Sequence, residues 1–136
     1  MFRLRSRMTL ALASMFLAGS AMAAELNDAE IKELLSGKTV YIETTSGSVT
    51  GTAGKGVIYY APGGSILYKT PAGPMWHGNL VIKDHTNCSN WKEAPNAPCS
   101  KYGKQGDTIT ILNAATGQVR AKIAKTAPGN AENLAP

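Results

Sequence analysis

Two stretches late in this chain alternate with period two, and that alternation limits the fold more than any other feature. Ile109 and Ile111 alternate with Thr108 and Thr110, and Val119, Ala121 and Ile123 alternate with Arg120 and Lys122. Successive side chains of a strand point to opposite faces, so each stretch presents one dry face and one wet face, with Arg120 on the wet side. Residues 114–117 between them read as a hairpin loop with Gly117 available for positive φ, and Pro62-Gly63-Gly64 reads the same way.

Further short segments rich in β-branched and aromatic residues are separated by Gly, Pro and Asn. They predict strands at 38–44, 48–53, 56–61, 65–70, 76–83, 107–113 and 118–125. One short helix precedes them. Asn27 can cap it, Glu30 completes a capping box, Leu26 and Ile31 have the spacing of a hydrophobic staple, and Gly37 ends it. The expected fold is therefore all-β: a small antiparallel meander of about seven to eight strands, closed into a barrel or folded into a sandwich, with a short N-terminal helix.

The first residues address the chain to a compartment. Arg3, Arg5 and Arg7 form a basic region, 8–18 is an apolar stretch, and Ala21-Met22-Ala23 has the small residues that signal peptidase reads. Residues 1–23 are thus expected to be a secretory signal peptide. The stretch is too short for a membrane-spanning helix, so no transmembrane anchor is expected in the mature form, which is placed in the periplasm or outside the cell. The 136 residues less those 23 leave 113, enough for one domain with a real core. Residues 24–125 are read as that single β-rich domain. Residues 126–136, with few apolar groups and two prolines, are read as a disordered tail.

Charge and motif spacing exclude several functions. Three of the 14 basic residues leave with the leader and none of the 9 acidic ones do, so the mature chain carries only +2. Its lysines are scattered, which argues against nucleic acid as a partner. Gly54-Lys55 is followed by Gly56 where a phosphate loop needs Ser or Thr, and no serine lies in a nucleophile elbow. His77, Asp84, His85, Cys88 and Cys99 carry metal-ligating groups at spacings that match no tight metal motif. In an oxidising compartment Cys88 and Cys99 are expected to pair as a disulfide, leaving no thiol nucleophile.

Aromatic residues supply the remaining candidates. Trp91 lies inside the expected cross-linked loop and is assigned a structural role, while Tyr59, Tyr60, Tyr68 and Trp76 are candidates for ligand or partner binding. Adjacent Tyr59 and Tyr60 must face opposite sides of their strand.

Leu35-Ser36-Gly37 after a short helix, Tyr60 to Gly64, Gly73 to Trp76, Cys88-x-x-Trp91 with Cys99 and Tyr102, and a closing Gly129-Asn130 together resemble domain-of-unknown-function family 995, small exported proteins of alphaproteobacteria. Gly73-x-x-Trp76 departs from the tighter Gly-x-Trp of that family. The resemblance implies export and brings no activity with it. The expectation is an exported, non-enzymatic binding module for a small apolar ligand or an envelope protein, with no catalytic residue and no cofactor. The alternative is a metal-binding protein or metal-dependent enzyme using His77, His85 and the cysteines.

Overall fold

The structure, a computed structural model, describes residues 24–136. The expected leader, 1–23, lies outside the described residues. One helix and ten strands follow in order: β1 (Ala24–Glu25), α1 (Asp28–Leu35), β2 (Lys38–Thr44), β3 (Gly54–Tyr60), β4 (Ser65–Lys69), β5 (Met75–Asn79), β6 (Val81–Lys83), β7 (Thr86–Cys88), β8 (Ser100–Gln105), β9 (Thr108–Asn113) and β10 (Val119–Pro128).

All the strands join one antiparallel sheet in the order β5-β4-β3-β2-β10-β9-β8-β7-β6, with β1 added on β8. The sheet curls round on itself. Asn79 N–H donates to Ser89 O at 2.8 Å and Lys92 N–H to His77 O at 2.8 Å, so the chain just after β7 seals against β5. The expected all-β class is what forms, as a nearly closed barrel, with more strands than the sequence predicted.

Helix α1 begins as its sequence dictates. Glu30 N–H donates to Asn27 Oδ1 at 2.9 Å and Asn27 N–H to Glu30 Oε1 at 3.1 Å, satisfying two donors of the first turn. Gly37, at φ 72°, takes the chain out of the helix in the left-handed region. The helix touches β2 as well as β6 and β7, which are far apart in the strand order, so it lies across one end of the barrel. Ile31 and Leu35 fill that end and join the core with Leu26.

The predicted pattern needs correction in several places. Segment 48–53 is a run of turns, because Thr44 Oγ1 donates to Thr52 O at 2.7 Å and Ser48 and Thr50 bond to each other and to nearby backbone. Segment 76–83 breaks at Leu80, whose N–H turns to Gly64 O. Strand β10 runs past 125 to Pro128, and the expected disordered tail is held beyond it. Thr39 Oγ1 donates to Gly129 O and accepts from Ala131 N–H, and the Asn130 side chain brackets Leu134. That contact buries Thr39 on the barrel's outer face.

Cys88 and Cys99 form a disulfide that closes the loop between β7 and β8. For so short a loop the chain-entropy account gives about 2 to 3 kcal/mol, reduced by Pro95 and Pro98, which already stiffen the unfolded chain. Urea unfolding of Cys88→Ala/Cys99→Ala should show a loss near the lower figure. An unchanged midpoint would mean that the loop is held without the cross-link.

Candidate ligand-binding site

Strand register decides which side chains enter the barrel. Val40, Ile58, Tyr68 and Trp76 lie side by side across β2 to β5, and Tyr60, Ile66 and Gly78 form the next inward row. Tyr59 sits between these rows in sequence and faces outward beside Thr39 and Leu67, half-buried. Tyr68 is 2% exposed, and Gly56 on β3 makes room for it, since a Cβ there would lie 2.7 Å from Tyr68 Cε2. Trp76 and Trp91 pack on Tyr68, with ring centroids 6.4 and 5.5 Å from it and 6.1 Å from each other. Trp91 is buried as the chain crosses over Gly78 at the seam.

The facing wall comes from β7, β8 and β10. Asn87 Nδ2 donates to the Tyr102 hydroxyl at 2.9 Å in full burial, and Tyr60 is hydrogen-bonded to Tyr102 as well. Burial raises Tyr60 well above the ordinary phenol value, with Tyr102 adding to the effect and Asn87 opposing it. Burial raises Tyr102 too, against Asn87, Tyr60 and the charge of Arg120.

Arg120 reverses the expectation from simple alternation. Val119 pairs with Leu112 and Ala121 with Ile111, so β10 carries one extra residue at this point, a β-bulge. A bulge re-aims side chains. Arg120 and Ala121 both face the interior, Arg120 is 5% exposed, and Val119 is turned out at 45% exposed. The guanidinium Nη1 donates to Ser100 Oγ at 2.7 Å, to Pro98 O at 2.8 Å and to Cys99 O at 3.3 Å, so the disulfide loop holds one edge of it. Burial lowers Arg120 from its ordinary value and Tyr102 offsets part of this.

Two buried donors have no hydrogen-bond partner: Arg120 Nε and the Tyr68 hydroxyl. Both residues line one cavity of about 50 Å³ inside the barrel, together with Thr44, Asn87, Ile42 and Ile111. That is room for roughly three to five waters at 10–15 Å³ each. Burial pushes the Tyr68 hydroxyl up to about 12, partly offset by Thr50, which lies near it without reaching hydrogen-bond geometry. Among the described residues the ion pairs are His77–Glu93 and Lys101–Glu25, so no carboxylate pairs with Arg120.

The buried phenols set a pH dependence. Below pH 10 Tyr68 is neutral in both states, and between 10 and about 12 only the unfolded chain releases its proton, so stability falls as pH rises through that window. The difference corresponds to about 3 kcal/mol for Tyr68, with Tyr60 and Tyr102 acting in the same direction. The urea midpoint should drop steeply over that range, and the drop should shrink in Tyr68→Phe. A midpoint flat to pH 12 would contradict the burial of these hydroxyls.

The alternative metal ligands are not brought together. His77 Nδ1 is 2.7 Å from Glu93 Oε1, and its backbone N–H donates to the same carboxylate at 2.9 and 3.1 Å. Burial opposes ionisation of Glu93, yet His77 outweighs it and holds the carboxyl below its ordinary value. His85 occupies the tight turn between β6 and β7, with Asp84 and His85 both at positive φ, and its N–H donates to Asp28 Oδ1 at 2.7 Å. The cysteines are paired, and among the described residues no three His, Cys, Asp or Glu side chains form a group able to hold a metal.

Of the four aromatic candidates, Tyr60 and Tyr68 line the cavity, Trp76 backs Tyr68, and Tyr59 lies on the outer face. Arg120 and Asn87 were not among the sequence candidates. Arg120 is the only arginine in residues 24–136, the single signal that set it apart in the sequence. No helix of the described residues is long and apolar enough to cross a membrane. No family model, curated protein or solved structure matches the chain.

Proposed function

We propose that the chain is an exported, non-enzymatic binding module that holds a small molecule in the interior of its barrel. The observation that carries this reading is the cavity between the aromatic wall and β10, where the buried Tyr68 hydroxyl and Arg120 Nε lack partners. Buried polar groups are ordinarily hydrogen-bonded, and each one left bare costs about 1 to 3 kcal/mol. A cavity lined by two residues that each keep a bare buried donor is suited to an occupant that satisfies them. Ile42, Val49, Ile58 and Ile111 line the same space and suit an apolar portion of the occupant. Export is supported by the disulfide, which persists in oxidising compartments, and by the leader-like residues 1–23. The likeness to family 995 fits a small exported domain and adds no chemistry.

Native mass spectrometry of protein isolated from the cell envelope without denaturation tests this reading. The expected result is a discrete small-molecule adduct that denaturation releases. Ala121 faces the cavity, so Ala121→Val should lower adduct occupancy about tenfold or more by filling space. His77→Ala, at the outer seam, should leave it unchanged. A bare mass for the native protein would contradict the reading.

A further inference from the structure

Resting on that binding reading, we propose that the cavity is a site for a small organic monocarboxylate, whose carboxylate pairs with Arg120 Nε–H and the Tyr68 hydroxyl. Four observations converge on this class of ligand. First, Arg120 is the only charged residue lining the cavity among the described residues, so the site offers a single positive charge and matches a monoanion. Second, that charge is 5% exposed and has no carboxylate partner among the described residues. A buried ion is strongly destabilising unless it is paired and hydrogen-bonded.

Third, the guanidinium is already oriented. Ser100 Oγ and the carbonyls of Pro98 and Cys99 occupy Nη1, and Nε is left for another acceptor. The guanidinium fork matches a carboxylate in bidentate geometry, and orientation before binding reduces the entropy lost on binding. Fourth, Tyr68 is a neutral donor at physiological pH, as a phenol ordinarily is, and its buried hydroxyl has no other hydrogen-bond partner. The bulge at Arg120 has a role in this account. It spends a wet-face residue of β10 on the interior, where an uncompensated charge would otherwise only destabilise the fold.

The size of the site selects among carboxylates. A cavity of about 50 Å³ accommodates a carboxylate and a short alkyl group against Ile42 and Ile111, and it does not accommodate a long acyl chain in full. The chemistry proposed is therefore that of acetate or propionate, or of a larger molecule that presents such a terminus.

The test titrates the ligand-free protein, lacking residues 1–23, with sodium propionate, propionamide, sodium chloride and inorganic phosphate at matched ionic strength, reading the thermal midpoint. Propionate should raise the midpoint saturably and propionamide, of the same shape without charge, should not. Tyr68→Phe should weaken the propionate response about tenfold or more, the scale of a lost hydrogen bond to a charged group. Arg120→Met should abolish it, and Lys122→Ala, on the outer face of the same strand, should leave it intact. If Arg120→Met does not fold, the comparison of acid with amide in the unaltered protein still decides the matter.

Equal responses to propionate and propionamide would overturn the anion site while leaving a cavity that binds by shape. Equal responses to propionate and chloride would overturn the carboxylate assignment, and a phosphate response exceeding that of propionate would do the same. No saturable response to any probe would also overturn the proposal. The binding reading itself would then stand or fall separately, on the adduct carried by protein from the envelope.

Discussion

Gly78→Ala is expected to destabilise the barrel by about 3 kcal/mol or more, at the upper end of overpacking effects. Gly78 lies on β5 where the chain after β7 crosses it. A Cβ at this position would meet Ser89 O at 2.4 Å and the Trp91 ring at 3.0 Å. The first contact is with backbone, and that backbone is fixed by the bond from Asn79 N–H to Ser89 O that seals the barrel. Relief therefore requires the seam to open. Gly63→Ala, with nothing within 4 Å of the new Cβ and no positive φ, is the control and should change stability by about 0.5 kcal/mol or less. Urea unfolding of the two variants checks this, and equal midpoints would contradict the seam.

Trp91→Ala should cost about 3 to 5 kcal/mol, the range for large aromatic truncations in cores. The indole is 6% exposed and contacts Tyr68, Trp76 and Gly78 together. Its removal would take the packing from one wall of the cavity and loosen Tyr68. The expected result is a large fall in the urea midpoint with the disulfide intact. A loss below about 1 kcal/mol would place Trp91 outside the core and contradict its structural role.

Much of this architecture could be read in the residues. The capping box at Asn27 and Glu30, strand β2, the hairpin joining β9 and β10, and the Cys88–Cys99 pair all follow from local chemistry that tertiary structure does not override. Strand β8 was not legible, because Ser100–Gln105 carries lysines and a glycine where alternation needs apolar residues, and Tyr102 is its only aromatic residue. Segment 48–53 misled for the opposite reason. Its threonines suit a strand, yet Thr50 Oγ1 accepts from Thr52 N–H and Ser48 Oγ donates to Thr52 O, which hold turns.

The site was legible only in part. Tyr60 and Tyr68 follow from alternation once their strands are placed, whereas Arg120 could not be placed by it. One extra residue in β10 shifts the inward face by one position, and no local signal in Val119-Arg120-Ala121 announces a bulge. The tail misled because its order comes from backbone and hydroxyl bonds to Thr39 rather than from apolar burial.

The inward guanidinium is tested most directly by the Nε–H signal of Arg120 in a nitrogen–proton correlation spectrum of protein lacking residues 1–23, where Arg120 is the only arginine and its signal is unique. The structure predicts an Nε–H shielded from solvent exchange that moves and saturates as propionate is added and stays still with propionamide. A rapidly exchanging signal that no titrant moves would put Arg120 on the wet face of β10, where simple alternation places it, and would contradict the interior site.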